Sequence, residues 1–228
     1  MPAAAYAIVQ KEMLLPDVEQ LKRAFSISPL LTAIDAQTAV NDAYGILLRG
    51  QQLDQAMALQ EALRLENVDT ELVEESKLPV IPPAHVVHQM EFQPTHLTLI
   101  DPMKRAAQVP WEDLMFIAVG DVRGPTTRDE EPHHLLLDLF LKDGKRYSAN
   151  GDDFVFDRVG SRTSEDPCMN FLFLVQDLSE EAPNAGLNQG GVKACQRPPQ
   201  LFLYPTKSAY NEEMIWMLWR ISRMTNPA

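Results

Sequence analysis

The histidines and acidic residues of this 228-residue chain are its first candidates for metal binding or acid-base chemistry. His133 and His134 are adjacent, and a strand would point them to opposite faces. Asp152 and Asp153 form a later carboxylate pair. These four side chains are the best available ligands for a metal-dependent or small-molecule enzyme with a site between domains. Their spacing matches no zinc or two-metal pattern, so the sequence predicts no metal, no cofactor and no catalytic residue.

Motifs for nucleophilic catalysis and phosphate binding are missing from the sequence. It contains no Gly-x-Ser-x-Gly turn, no Walker-type loop and no Gly-x-Gly-x-x-Gly loop. Residues 186–191 are rich in glycine, but they follow Pro183 in a long connection, so we interpret them as a flexible loop. Cys168 and Cys195 are too few for a disulfide framework and are expected to be free thiols.

Asp138 interrupts the apolar run 135–141. If that strand is buried on both faces, the carboxylate needs a cationic partner, because an unpaired buried charge is costly. Arg146 and Arg158 are the candidates, and the predicted role of the pair is structural.

The segment 208–223 carries two of the three tryptophans and has helical periodicity. At 100° per residue, Trp216 falls among the charged residues opposite the apolar face, and Trp219 lies at their edge. Tryptophan beside arginine is typical of protein interfaces. The pattern therefore predicts that Trp216, Trp219, Arg220 and Arg223 bind a partner. The alternative is that the helix is buried on two sides. The apolar face consists of Tyr210, Met214, Met217, Leu218 and Ile221.

Composition indicates a globular protein, with 45% apolar and 23% charged residues and a net charge of −12. So acidic a chain is repelled by nucleic-acid phosphates and anionic membranes, so neither is an expected partner. No apolar run is long enough to span a membrane, and the first residues lack the pattern of a secretory signal. We therefore expect a cytoplasmic protein.

The distribution of proline and glycine divides the chain. Residues 1–78 contain three of the 17 prolines and two of the 10 glycines. Three prolines then occur within residues 79–84, which we interpret as a stiff linker. The predicted domains are 1–78 and 85–228.

The first domain has alternating strand and helix periodicities in the order β-α-α-β-α-β. Residues 34–50, IDAQTAVNDAYGILLRG, lead into residues 54–63, DQAMALQEAL. This order and text resemble the C-terminal domain of the bacterial ribosomal stalk protein, whose fold the adaptor ClpS shares. The resemblance implies a general role in protein contact. It does not imply translation-factor binding, because residues 26–38 lack the Lys and Gly of the stalk family.

The second domain shows apolar strand patterns followed by a helical pattern at 208–223. A hairpin is predicted where residues 135–141 and 146–149 flank Asp143-Gly144. The sequence therefore predicts a mainly antiparallel β domain closed by a C-terminal helix. Such a meander with a closing helix is similar to pleckstrin-homology-like domains.

Together these features predict an α+β protein of two domains with a non-enzymatic function. We expect a protein-interaction or regulatory adaptor whose partner is another protein or a second copy of the chain. The alternative is the metal-dependent or small-molecule enzyme described above.

Overall fold

Helices and antiparallel strands are both abundant in the computed structural model, which confirms the α+β class. It describes residues 4–14, 16–29, 31–124, 133–156, 162 and 164–225. The chain forms two units. Unit 1 contains residues 1–81 and 205–228, and unit 2 contains residues 82–204.

The first part of unit 1 has the predicted order of strands and helices. Two helices begin with capping boxes, α1 after Asp17 and α2 after Thr32, in which side chains bond the free N–H groups of the first turn. The elements are β1 (Tyr6–Gln10), α1 (Val18–Phe25), α2 (Ala33–Asp42), β2 (Ile46–Gln51), α3 (Leu53–Leu65) and β3 (Thr70–Glu74).

The sheet of unit 1 is antiparallel with strand order β2-β1-β3, and apolar side chains leave both of its faces. Successive residues of a strand point to opposite faces. Ile8 accordingly packs with residues of α1, α2 and α3, such as Leu21 and Leu59. Ala7 and Val9 point the other way and need a separate cover.

Unit 2 contains the remaining strands and two helices. The strands are β4 (Ala84–Val86), β5 (Gln89–Phe92), β6 (His96–Ile100), β7 (Ala106–Pro110), β8 (Leu114–Arg123), β9 (His133–Leu141), β10 (Arg146–Asn150), β11 (Gly186–Leu187) and β12 (Leu203–Tyr204). The helices are α4 (Pro167–Glu181) and α5 (Gln189–Ala194).

These strands form two sheets. The larger has the order β11-β8-β9-β10-β4, with β12 also paired to β8, and the smaller has the order β5-β6-β7. The predicted hairpin is β9 and β10, whose turn has Gly144 at φ +85°. The core is formed by β-strand side chains packed against α4, including Leu137, Phe171 and Leu174.

The glycine-rich run 186–191 is ordered, so the prediction of a flexible loop was wrong. It forms β11 and the start of α5, and the buried Asn188 caps that helix by accepting a hydrogen bond from Gly191 N (2.9 Å). The same amide accepts from Val119 N (2.9 Å) and donates to Val119 O (2.8 Å) in β8. A Cβ at Gly190 would lie 1.8 Å from Val119 O. Glycine is therefore needed for close packing of α5 on β8.

The last helix, α6 (Lys207–Thr225), belongs to unit 1 and not to the second domain that it was expected to close. Trp216 and Trp219 cover the face of the unit 1 sheet formed by Ala7, Val9 and Ile46. The domain boundaries therefore fall after residues 81 and 204 rather than only near residue 79. The resemblance to pleckstrin-homology-like domains depended on a C-terminal helix closing the second domain, and α6 instead lies in unit 1.

Candidate functional site

The two tryptophans predicted to bind a partner lie in the core of unit 1. Trp216 is 5% exposed and Trp219 is 6% exposed. The Trp216 indole also donates a hydrogen bond to Gln10 O (2.8 Å) in β1, so its polar atom is satisfied within the unit. The prediction of an exposed tryptophan interface is corrected to its alternative, burial of the helix. The tryptophans are buried because they pack in one cluster with Ala7, Val9 and Ile46 of the sheet.

The two predicted arginines lie at the edge of this packing. The Arg220 guanidinium stacks over Trp216 (4.7 Å from Cζ to the ring centroid), and Arg223 stacks over Trp219 (4.9 Å). Arg220 also donates to the backbone carbonyl of Lys11, and Arg223 pairs with Glu71 (2.7 Å). Each arginine therefore contacts both a buried ring and a polar partner within unit 1.

Gly45, before β2, is the residue that lets Trp216 approach the chain so closely. It has φ +86°, and a Cβ there would lie 2.3 Å from Cγ of Trp216. The preceding Tyr44 is buried, and burial, followed by the nearby carboxylates of Glu213 and Asp42, raises its pKa to about 12. The packing of Trp216 therefore requires glycine at position 45, and the burial of Tyr44 beside it favours the uncharged form of the tyrosine hydroxyl.

A cavity of about 470 Å³ opens at the end of β1, next to Arg220. Gln10 forms part of its wall and is 2% exposed. Its Nε2 donates to Leu14 O, whereas its buried Oε1 has no hydrogen-bond donor among the described residues. An unsatisfied buried acceptor costs about 1–3 kcal/mol. This atom was not singled out from the sequence, where Gln10 reads only as the polar end of a strand.

The four candidate ligands of the enzyme alternative do not come together. His133 Nδ1 lies 3.1 Å from Asp121, and His134 Nδ1 lies 3.0 Å from Asp152, so each histidine contacts a different carboxylate. Their positions in β9 place them on opposite faces, as alternation requires. Across the described part of the chain, no three histidine, cysteine or acidic side chains are grouped to hold a metal ion. His133 and His134 therefore form separate pairs with Asp121 and Asp152.

Asp138 has the predicted structural role, and both cysteines are free thiols as expected. Asp138 is fully buried and accepts a hydrogen bond from Arg146 Nε (2.9 Å), which confirms the ion pair; Arg158 lies outside the described residues. Cys168 and Cys195 are free thiols. Desolvation, with a contribution from a nearby carboxylate, raises the pKa of Cys168 and so disfavours the nucleophilic thiolate.

A second cleft, of about 600 Å³, lies in unit 2 between β4 and the turn that joins β6 to β7. β4 is an edge strand, since it ends the strand order of the larger sheet, and all three of its residues are exposed. The buried Val87 and Leu99 line the cleft, while Val86 at its rim is 59% exposed. Asp101 and Arg105 on the opposite wall form an ion pair (2.6 Å), and so they leave that wall without net charge. The lining is completed by Ala84, His85, Pro102, Met103, Ala106, Ala107 and Tyr147.

Sequence reasoning had anticipated only part of this cleft. The prolines of residues 79–84 predicted a stiff linker, and β4 begins at the last of these residues, Ala84. Nothing in the sequence indicated that this strand lies at a sheet edge. That position follows from its parallel pairing with β10, a contact between residues far apart in the chain.

Comparison with known proteins supplies no further assignment. No protein-family model matches the chain, and no curated protein or solved structure gives a significant match. No helix among the described residues has the length and apolar character needed to cross a membrane.

Proposed function

We propose that this protein is a non-enzymatic interaction module, an adaptor whose unit 2 binds an extended segment of another protein as an added strand beside β4. The observation that carries the proposal is the open edge of β4 beside an apolar cleft. An exposed strand edge presents unpaired backbone groups that an extended peptide can bond.

The backbone of β4 has the orientation that strand addition requires. Val87 donates its N–H to Ser148 O (2.8 Å) in β10. Since successive N–H groups of a strand alternate sides, the N–H of Val86 points away from β10, toward the open edge. A partner carbonyl can therefore accept a hydrogen bond from Val86 without disturbing the sheet.

The lining of the cleft indicates the chemistry of the partner segment. Val87 and Leu99 are apolar, and the Asp101–Arg105 pair is neutral overall, so charge does not select the peptide. Alternate side chains of an added strand point to one face. The expected segment spans about five residues, roughly 16 Å, and has apolar side chains at alternate positions.

The test compares two substitutions at one position of the edge. Peptides are selected from a displayed random library on the full chain, and their affinities for Val86→Pro and Val86→Thr are measured by fluorescence anisotropy. Proline removes the outward N–H and is tolerated on edge strands, whereas threonine keeps both the N–H and the branched shape. We expect the selected peptides to have apolar side chains at alternate positions. Val86→Pro should weaken their binding about tenfold or more, which corresponds to about 1.4 kcal/mol, and Val86→Thr should change it little.

Two results would contradict the proposal. Selected peptides that bind V86P as tightly as the unchanged chain would exclude the β4 edge as their site. Self-association in analytical ultracentrifugation that V86P abolishes, with no peptide binding, would make a second copy the partner instead. The proposal keeps the expected cytoplasmic location and, because of the charge of −12, omits nucleic acids and membranes as partners.

A further inference from the structure

The cleft beside β4 contains a gap where one pair of side chains on the smaller sheet is incomplete. Leu97 of β6 pairs with Val109 of β7, and both side chains are buried. Two residues further along β6, Leu99 pairs with Ala107 on the same face of the sheet. Leu99 is buried, whereas Ala107 is partly exposed and lines the cleft. The methyl group of Ala107 therefore leaves open the space that valine fills in the neighbouring pair.

The sides of this gap favour an aromatic side chain. The rings of His85 in β4 and Tyr147 in β10 both line the cleft, and their centroids are 5.3 Å apart. Met103, in the turn between β6 and β7, lines the opposite wall and is 74% exposed. Aromatic rings pack favourably against other rings and against the sulfur of methionine. A guest ring therefore finds suitable contacts on both walls, in addition to the apolar Val87 and Leu99.

The turn that carries Met103 is held in place by its own hydrogen bonds. Asp101 N–H donates to Arg105 O (3.0 Å), and Arg105 N–H donates to the Asp101 carboxylate (2.9 Å). Lys104 N–H donates to Asp101 O (2.9 Å). This wall is therefore formed before a partner binds, which lowers the entropic cost of binding. Because Asp101 and Arg105 neutralise each other, a charged guest side chain would lose its hydration without gaining an ion pair.

We propose that the segment bound beside β4 carries one aromatic side chain, which fills the gap at Ala107. This inference rests on the strand addition proposed above and identifies the contact that determines its specificity. The ring packs on Leu99 and completes the pair that Ala107 leaves open. The cleft volume of about 600 Å³ lies within the range of binding pockets.

The first experiment examines the peptides selected on the full chain from the random library. They should share one phenylalanine, tyrosine or tryptophan at a fixed position within the alternating apolar pattern. Replacing that residue by leucine should weaken binding about tenfold in fluorescence anisotropy, and replacing it by alanine should weaken binding further. Selected peptides without a shared aromatic residue, or equal affinities of the aromatic and leucine forms, would overturn the inference.

The second experiment closes the gap from within the chain. Ala107→Leu fills the space, whereas Gln108→Leu adds the same side chain to the next residue of β7, which points to the opposite face and is not among the described residues that line the cleft. Binding of the aromatic peptide should weaken about tenfold for A107L and less than about twofold for Q108L. Circular dichroism verifies the fold of both variants. If leucine prevents folding, Ala107→Val is the second variant, since it reproduces the valine of the neighbouring pair, and it should weaken binding in the same direction.

A double-mutant cycle then locates the ring. The aromatic peptide and its alanine form should bind A107L almost equally, because the gap is already filled and the ring has no place to enter. If the aromatic peptide keeps its full advantage over the alanine form on A107L, its ring lies elsewhere and the inference is overturned.

The failure of this inference is distinguishable from the failure of strand addition. Peptides that lose affinity for Val86→Pro but not for Ala107→Leu would overturn the aromatic contact and leave strand addition standing. Peptides that lose affinity for A107L but not for V86P would support the aromatic contact and contradict strand addition. Selection of no peptide at all would overturn both.

Discussion

Trp216 determines which residue can occupy position 45. Its ring lies where the Cβ of any other residue would be, and the backbone of Gly45 already has a positive φ. Gly50 also has a positive φ, +72°, but a Cβ there would meet no atom within 4 Å. A side chain at position 50 would therefore cause only backbone strain, whereas a side chain at position 45 would also clash with Trp216.

Substitution of each glycine by alanine should have different effects on stability. Both variants incur about 1–2 kcal/mol of left-handed backbone strain. Gly45→Ala also displaces Trp216, which adds about 1–3 kcal/mol of overpacking. Urea unfolding followed by tryptophan fluorescence should therefore show G45A less stable than Gly50→Ala by that additional amount. Equal stability of the two variants would mean that Trp216 does not pack against Gly45.

Tyr44 should make the stability of unit 1 fall in alkaline solution. Its folded-state pKa of about 12 lies above the value of about 10 in an unfolded chain. Between these values the unfolded chain loses a proton that the folded chain keeps, so the free energy of unfolding decreases as pH rises. The expected loss is about 1.4 kcal/mol at about pH 11.

The control is Tyr44→Phe, which has no proton to lose. Urea unfolding of both proteins between about pH 8 and 11 should show the stability of the unmodified chain falling relative to Y44F. Parallel curves would contradict the raised pKa of Tyr44.

The sequence predicted the role of a residue correctly where its partner is close to it in the chain. Asp138 needed a cation within reach, and Arg146 is close in the predicted hairpin. The tryptophans were assigned to the wrong environment because a helical wheel compares residues only with their own helix. It contains no information about a second apolar surface, here the face formed by Ala7 and Val9.

At the scale of elements, the first six segments of unit 1 were predictable because their apolar periodicities are regular. The six elements from β1 to β3 follow one another in the predicted order, and α3 (Leu53–Leu65) contains the quoted residues 54–63. β11 and α5 were missed, because glycine at 186, 190 and 191 is typical of flexible loops. Asn188, a good helix N-cap, was the available signal for the second of them.

The docking of α5 on β8 leads to a prediction about two neighbouring glycines. Gly190→Ala would place a Cβ 1.8 Å from Val119 O, a backbone atom that cannot move without breaking its bond with Asn188. Gly191→Ala brings a Cβ only to 3.2 Å from side-chain atoms of Leu187. Thermal unfolding should show a large loss of stability for G190A, about 3 kcal/mol or more, and a small change for G191A. Similar melting temperatures would contradict the close approach of α5.

At the scale of the whole molecule, unit 1 is built from two separated parts of the chain, and unit 2 is one continuous part. Sequence composition located one boundary near residue 79 but gave no sign of the second. The last helix belongs to unit 1 because it covers the sheet of that unit. This contact joins residues far apart in the chain, so neither composition nor periodicity predicts it.

This arrangement predicts how fragments of the protein behave. Residues 82–204 should fold alone, because unit 2 has its own core. Residues 1–81 alone should not, since Ala7, Val9 and Ile46 would lose their cover. Joining residues 205–228 to residue 81 through a flexible linker should restore the fold. Circular dichroism and the dispersion of amide NMR signals measure each outcome, and a well-dispersed spectrum from residues 1–81 alone would contradict the need for α6.

The position of α6 also sets an order of events during translation. A ribosome produces residues 1–81 first, but the helix that covers their sheet is made only after all of residues 82–204. Unit 2 can therefore complete its fold while the nascent unit 1 still exposes one apolar face. During that interval Ala7, Val9 and Ile46 lack their cover, and uncovered apolar surface of this kind promotes aggregation, so residues 1–81 are made before residues 82–204 but are protected after them.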